Sequence, residues 1–161
     1  MIPDGIRLQN PLWEFALEVY PRLSEPLLAL QTEGARVNQL LAALWCVEIG
    51  RAWPGPIPKE IEAWHNIEVL PMRQRRMALK PQLADHPELD KLYQAYKQVE
   101  LNCERVELAM LYKWLDGGQS GKAIDLEATI VDVLELNRVP HPSRAMRSLM
   151  VEYQKLNYER S

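Results

Sequence analysis

The sequence predicts an all-α protein, a single-domain bundle of about seven helices. Three observations carry this. Apolar residues recur at spacings of three and four along most of the chain, and no stretch alternates as a half-buried strand would. Pro follows Asn or another capping residue at candidate helix starts, and Gly stands at candidate ends. One stretch, 87–116, holds no Gly and a single Pro at its first turn. It reads as one long helix of roughly 30 residues, about 45 Å at ~1.5 Å per residue.

Composition narrows the classes. At 161 residues the chain has the length for one domain with a real core, residues 1–161. A net charge of −3 gives no global attraction for nucleic acid or anionic membrane. The longest apolar run, Leu40–Val47, is far below the ~20 residues of a membrane span. The N-terminus lacks a basic segment followed by an apolar one, so no signal peptide is expected. Cys46 and Cys103 lie inside apolar helical stretches, which suits reduced, buried thiols and a cytoplasmic setting.

Taken in order, residues 1–9 form an arm. Asn10–Pro11 opens a helix striped with Leu12, Phe15, Ala16 and Val19, which Pro21 should end. Ser24 should cap a second short helix that stops at Gly34. Asn38 opens the third, about 38–49, which is apolar on every side and therefore belongs at the centre of the bundle. The connector Trp53–Pro58 is too rich in Pro to be helical. From Lys59 to Lys80 the pattern is helical, with Pro71 either kinking one helix or separating two. On the long helix, Leu89, Leu92, Tyr96, Val99, Cys103, Val106, Met110 and Trp114 should form the inner face. Gly117 and Gly118 should stop it, and Gly117–Lys122 should be a flexible loop. Residues 117–161 complete the bundle with a helical pair, one capped by Asp125 and one beginning near Pro142.

The strongest polar constellation spans two helices. Arg73, Arg76 and Lys80 fall on one stripe, and Glu100, Glu104 and Glu107 share a similar spacing on or beside the inner face of the long helix. Carboxylates are seldom buried unless paired. Two antiparallel helices could zip these charges together as a network that fixes register. The other reading is a polar pocket in which Arg side chains hold a carboxylate or phosphate and glutamates orient them.

The remaining motifs fall short. Glu62 and His65 form a single E-x-x-H unit where di-iron bundles need two, so no metal site is expected and His65 reads as a surface or partly buried polar residue. Gly117–Lys122 lacks the spacing, the Ser/Thr after Lys and the preceding strand of a phosphate loop. The basic Arg73–Lys80 run has no aromatic interleaving for nucleic acid. Trp53, set in the Pro-rich connector, is the tryptophan expected to be exposed and to anchor a partner.

The pieces LWEFAL (Leu12–Leu17), VNQLLAALW (Val37–Trp45), the Arg73/Arg76/Lys80 helix and ELNCER (Glu100–Arg105) together resemble a family of small proteobacterial helical proteins that is catalogued as a domain of unknown function. The resemblance covers roughly 10–116 in order and spacing. It implies a cytoplasmic bacterial helical protein, and it places weight on Arg73, Arg76, Glu100, Glu104 and Arg105.

No complete catalytic or metal motif is present, so the sequence expectation is a non-enzymatic interaction or adaptor module with a protein partner, no cofactor, no nucleic acid and no membrane. The alternative is a small-molecule or anion-binding protein, possibly an enzyme, built on the Arg/Glu cluster. The first requires an exposed apolar patch. The second requires a concave pocket beside Arg73, Arg76 or Glu100.

Overall fold

A computed structural model describes residues 2–161, and within them the chain forms six helices and no strand. α1 is Pro11–Thr32 and α2 is Val37–Ile49. α3 is one continuous helix made of Lys59–Trp64, a π-helical turn at His65–Val69, and Leu70–Leu79. α4 is Asp90–Leu115, led in by a 3-10 turn at Pro87–Leu89. α5 is Leu126–Leu136 and α6 is Arg144–Arg160.

The count differs from the expected seven because α1 is continuous. Pro21 and Pro26 lie inside it, and Ser24 is mid-helix rather than a cap. A helical Pro frees the carbonyl four residues back. Here those carbonyls belong to Leu17 and Arg22, both on the solvent side, where water can satisfy them. The helix starts where the sequence predicts: the Asn10 side chain accepts from the Trp13 N–H at 2.8 Å.

Pro71 does not divide α3, which stays helical from Lys59 to Leu79. The preceding π-turn takes up the irregularity, with the Leu70 N–H reaching back to the His65 carbonyl. Pro71 then falls in the first turn of the Leu70–Leu79 segment, where a missing N–H costs little.

α2 is buried from Asn38 through Cys46 and packs on α1, α4 and α5. It begins at Val37, one residue before the expected cap. Asn38 is therefore not a cap; its side chain points into the protein. Gly50 closes the helix in the left-handed region, φ +72°, with the Arg51 N–H returning to the Cys46 carbonyl at 2.8 Å. Gly121 and Lys122 then donate to the carbonyls of Ile49 and Gly50, so the end of the 117–122 loop is pinned to α2. α6 lies along α1, and Asn137, just past α5, bonds both the Arg36 N–H and the Gln39 side chain at the head of α2.

α4 departs from its expected inner face. Its C-terminal half does enter the core, through Leu108, Met110, Leu111 and Leu115. In the N-terminal half Leu92 and Val99 are exposed, and the buried positions are Tyr93 and Glu100, with Glu107 following seven residues on. That half meets α3 through a polar seam, so the apolar spacing beside it does not mark the core.

Candidate functional site

α3 and α4 run antiparallel and exchange charges along the seam. Arg73 Nε donates to Glu100 Oε2 at 2.9 Å, and its terminal nitrogen donates to Glu104 Oε1 at 3.0 Å. Arg76 Nε donates to Glu100 Oε1, and a second Arg76 nitrogen lies 3.3 Å from Glu100 Oε2. Glu100, only 5 % exposed, is thus held between two guanidinium groups. The Arg76 guanidinium is made still harder to deprotonate by the hydrogen bond to Glu100. The Glu104 carboxyl is pushed above its ordinary value because burial outweighs the opposing hydrogen bond from Arg73.

One turn further along α4 lies a second polar group. His65 Nδ1 is 2.7 Å from Glu107 Oε2, and Asn38 Nδ2 donates to Glu107 Oε1 at 2.7 Å. The same Asn38 amide donates to the Glu104 carbonyl at 3.1 Å. Both members of the pair are buried, His65 at 5 % and Glu107 at 2 % exposure. The π-turn explains how His65 reaches this seam. In an unbroken α-helix, positions eight apart diverge by about 80°, while positions seven apart nearly coincide. The extra residue of the π-turn makes the step from His65 to Arg73 act like seven, so both face α4.

Beside this seam a groove of about 790 Å³ opens between α1 and α4. Leu17, Tyr20 and Leu28 form its α1 wall, Leu101 and Leu108 its α4 wall, and Leu41 of α2 lies at its floor. Of these, Leu17, Tyr20, Leu28 and Leu101 are exposed. Arg73, Arg76, Glu100, Glu104, Glu107, His65 and Asn38 all reach the same cavity. Burial, and next the charge on Glu104, raise the Tyr20 phenol above its usual value. The groove is therefore amphipathic. Its arginines and Glu100/Glu104 balance in formal charge, which weakens the case for a simple anion trap.

Sequence reasoning brought Arg73, Arg76, Glu100, Glu104 and Glu107 to one place, and the structure puts all five on the groove. It leaves three others outside. Lys80 lies past the end of α3 in a 3-10 turn and is exposed, with no ion pair among the described residues. The Arg105 guanidinium stacks over the Trp13 ring at 4.6 Å. Trp53 is half-buried and edge-on to Trp114, with centroids 5.3 Å apart, so it offers no exposed anchor. Glu62 and His65, expected on one face, are divided: Glu62 pairs with Arg36 at 3.2 Å and His65 turns inward to Glu107. His65 and Asn38 are the site residues the sequence did not disclose. A π-turn has no sequence signature, and Asn38 looked like a helix cap.

Both thiols are held in the protonated form. Burial pushes Cys46 up to about 12, and burial followed by nearby glutamates raises Cys103. No helix is long and apolar enough to cross a membrane.

A family model described as "Protein of unknown function (DUF2390)" matches residues 11–111. That span contains every residue lining the groove, from Trp13 to Leu108, and excludes α5 and α6. No curated protein and no solved structure matches the chain.

Proposed function

The chain belongs to the DUF2390 family, and from that premise we propose that it is a non-enzymatic interaction module whose α1–α4 groove docks an amphipathic helix of a partner protein. The observation that carries this is the placement of exposed Leu17, Tyr20, Leu28 and Leu101 along the two walls of one groove. Apolar patches of this kind, rimmed by polar groups, are where helices are received. The α4 wall from Gln94 to Leu108 is about 21 Å long at ~1.5 Å per residue, which suits a partner helix of about 14 residues. Charge selects among such helices. The groove's carboxylates are engaged by Arg73, Arg76, His65 and Asn38, whereas Lys97 on the rim has no ion-pair partner among the described residues. The favoured occupant carries an apolar stripe and a carboxylate at the Lys97 end.

The test is photocrosslinking in cells with a benzophenone amino acid at position 28, followed by mass spectrometry. The reading expects adducts on a protein segment with helical apolar periodicity, lost when Leu101→Asp is added. Adducts on a small amphipathic metabolite would move the assignment to a ligand-binding protein. The cavity volume suits that alternative, since such sites occupy about 300–1,000 Å³. Adducts insensitive to Leu101→Asp would remove the groove from consideration.

A further inference from the structure

The groove has apolar walls, but at its Glu107 end it presents a polar atom with no protein partner. Glu107 accepts from Asn38 on one oxygen and faces His65 Nδ1 with the other. A carboxylate oxygen facing Nδ1 at this distance accepts, so the tautomer that fits the geometry carries the ring proton on Nδ1. In that tautomer Nε2 is a bare acceptor. Nε2 has no hydrogen bond among the described residues, and His65 lines the groove. The ring itself is 5 % exposed and cannot swing away to find solvent. Such a group loses its hydration when an apolar occupant covers it, unless the occupant supplies a donor.

We propose that His65 Nε2 is the specificity-determining subsite of this groove, taking one hydrogen-bond donor (an ammonium, hydroxyl or indole N–H) from the docked helix. This rests on the docking reading above. The carboxylate behind the ring strengthens Nε2 as an acceptor, which favours a cationic donor. Lys97 and Glu107 are ten residues apart on α4, about 15 Å at ~1.5 Å per residue. A donor at the His65 end and a carboxylate at the Lys97 end therefore set the direction in which the helix lies. One polar position in an apolar interface is a known way to fix register.

Glu107→Gln separates this role from a structural one. Asn38 Nδ2 is committed as a donor to both the Glu104 carbonyl and Glu107. A glutamine at 107 must therefore turn its carbonyl to Asn38 and its NH2 to His65 Nδ1. The ring proton then moves to Nε2, and the subsite changes from acceptor to donor.

The experiment selects a phage-displayed library of 14-residue amphipathic helical peptides on the wild-type protein and on Glu107→Gln. Nitrogen-15 NMR of the His65 ring reads which nitrogens carry a proton in each. Wild type should carry its proton on Nδ1 and enrich Lys, Arg, Ser, Thr or Trp at one fixed position within the apolar stripe. Glu107→Gln should carry it on Nε2 and enrich an acceptor, Glu, Asp or Gln, at that same position. Identical preferences at that position, purely apolar winners, or a wild-type ring protonated on Nε2 would each overturn the subsite. Failure of the docking reading looks different: the enriched phage would bind Leu17→Asp/Leu101→Asp as well as they bind wild type. If Glu107→Gln does not fold, His65→Gln, which offers both donor and acceptor, should relax the donor preference at that position at least tenfold; an unchanged preference would overturn the proposal.

Discussion

Glu100 of α4 receives the guanidinium groups of both Arg73 and Arg76 from α3, with Arg73 Nε at 2.9 Å. The two arginines are three positions apart, so one face of α3 closes on one carboxylate. Glu100 is the electrostatic centre of the seam, and Glu104 is its half-buried edge. Removing the charge of one buried partner leaves the other uncompensated, which is far costlier than removing the whole pair. Glu100→Gln should lower unfolding stability by about 2–4 kcal/mol in urea denaturation. A loss below about 1 kcal/mol would mean that water already screens the pair.

The contribution of Glu104 to stability should depend on pH. Its carboxyl is raised by burial, so between its ordinary and raised values the folded state binds more proton than the unfolded chain. That contribution to stability falls as pH rises through the window, and above it the full cost of the buried charge is present. Glu104→Gln cannot titrate. The stability of this variant relative to wild type should therefore grow from pH 4.5 towards neutrality, followed by denaturation at several pH values. A difference that shrinks over that range would contradict the assignment.

The seam shows which parts of this protein are visible in a sequence. Arg73, Arg76, Glu100 and Glu104 could be matched because charge spacing on two regular helices survives translation into space. The central position of α2 was equally legible, because a helix without a polar face has nowhere else to go. His65 was not, because the π-turn shifts its phase by one residue. The unbroken α1 was hidden because a Pro normally ends a helix, and only the solvent exposure of Leu17 and Arg22 makes Pro21 and Pro26 tolerable. The period of Leu92 and Val99 predicts core, and both are exposed. Period alone cannot say that α3 would meet α4 through a polar seam and leave them outside.

Two glycines carry close contacts that a methyl group would break. At Gly50, φ is +72°, and an added Cβ would lie 2.3 Å from the Lys122 carbonyl oxygen and 2.5 Å from its nitrogen. Neither atom can move without undoing the bonds that pin the loop to α2. Gly50→Ala should cost on the order of 2 kcal/mol, from left-handed strain and from the lost loop contacts. At Gly118 the added atom would fall 1.8 Å from the Arg51 guanidinium, which donates to the Leu115 carbonyl at 3.2 Å. That side chain can swing aside, so Gly118→Ala should cost only about 1 kcal/mol, the worth of the lost hydrogen bond. Thermal unfolding of the two variants should rank them in that order.

The cysteines offer a probe of the core that needs no mutation. The thiolate is the reactive form, and both thiols are raised by burial. Cys46 is fully enclosed in α2 and pushed up to about 12, whereas Cys103 is half-buried on α4 near Glu68, Glu104 and Glu100. At pH 8 the folded protein should therefore alkylate slowly with iodoacetamide, at Cys103 first. Cys46 should be labelled only through opening of the core, at a rate that rises with urea as global stability falls. Peptide mass spectrometry over time reads both sites. Early labelling of Cys46 in the absence of denaturant would mean that α2 is accessible to reagent and is not the enclosed centre around which α1, α4 and α5 pack.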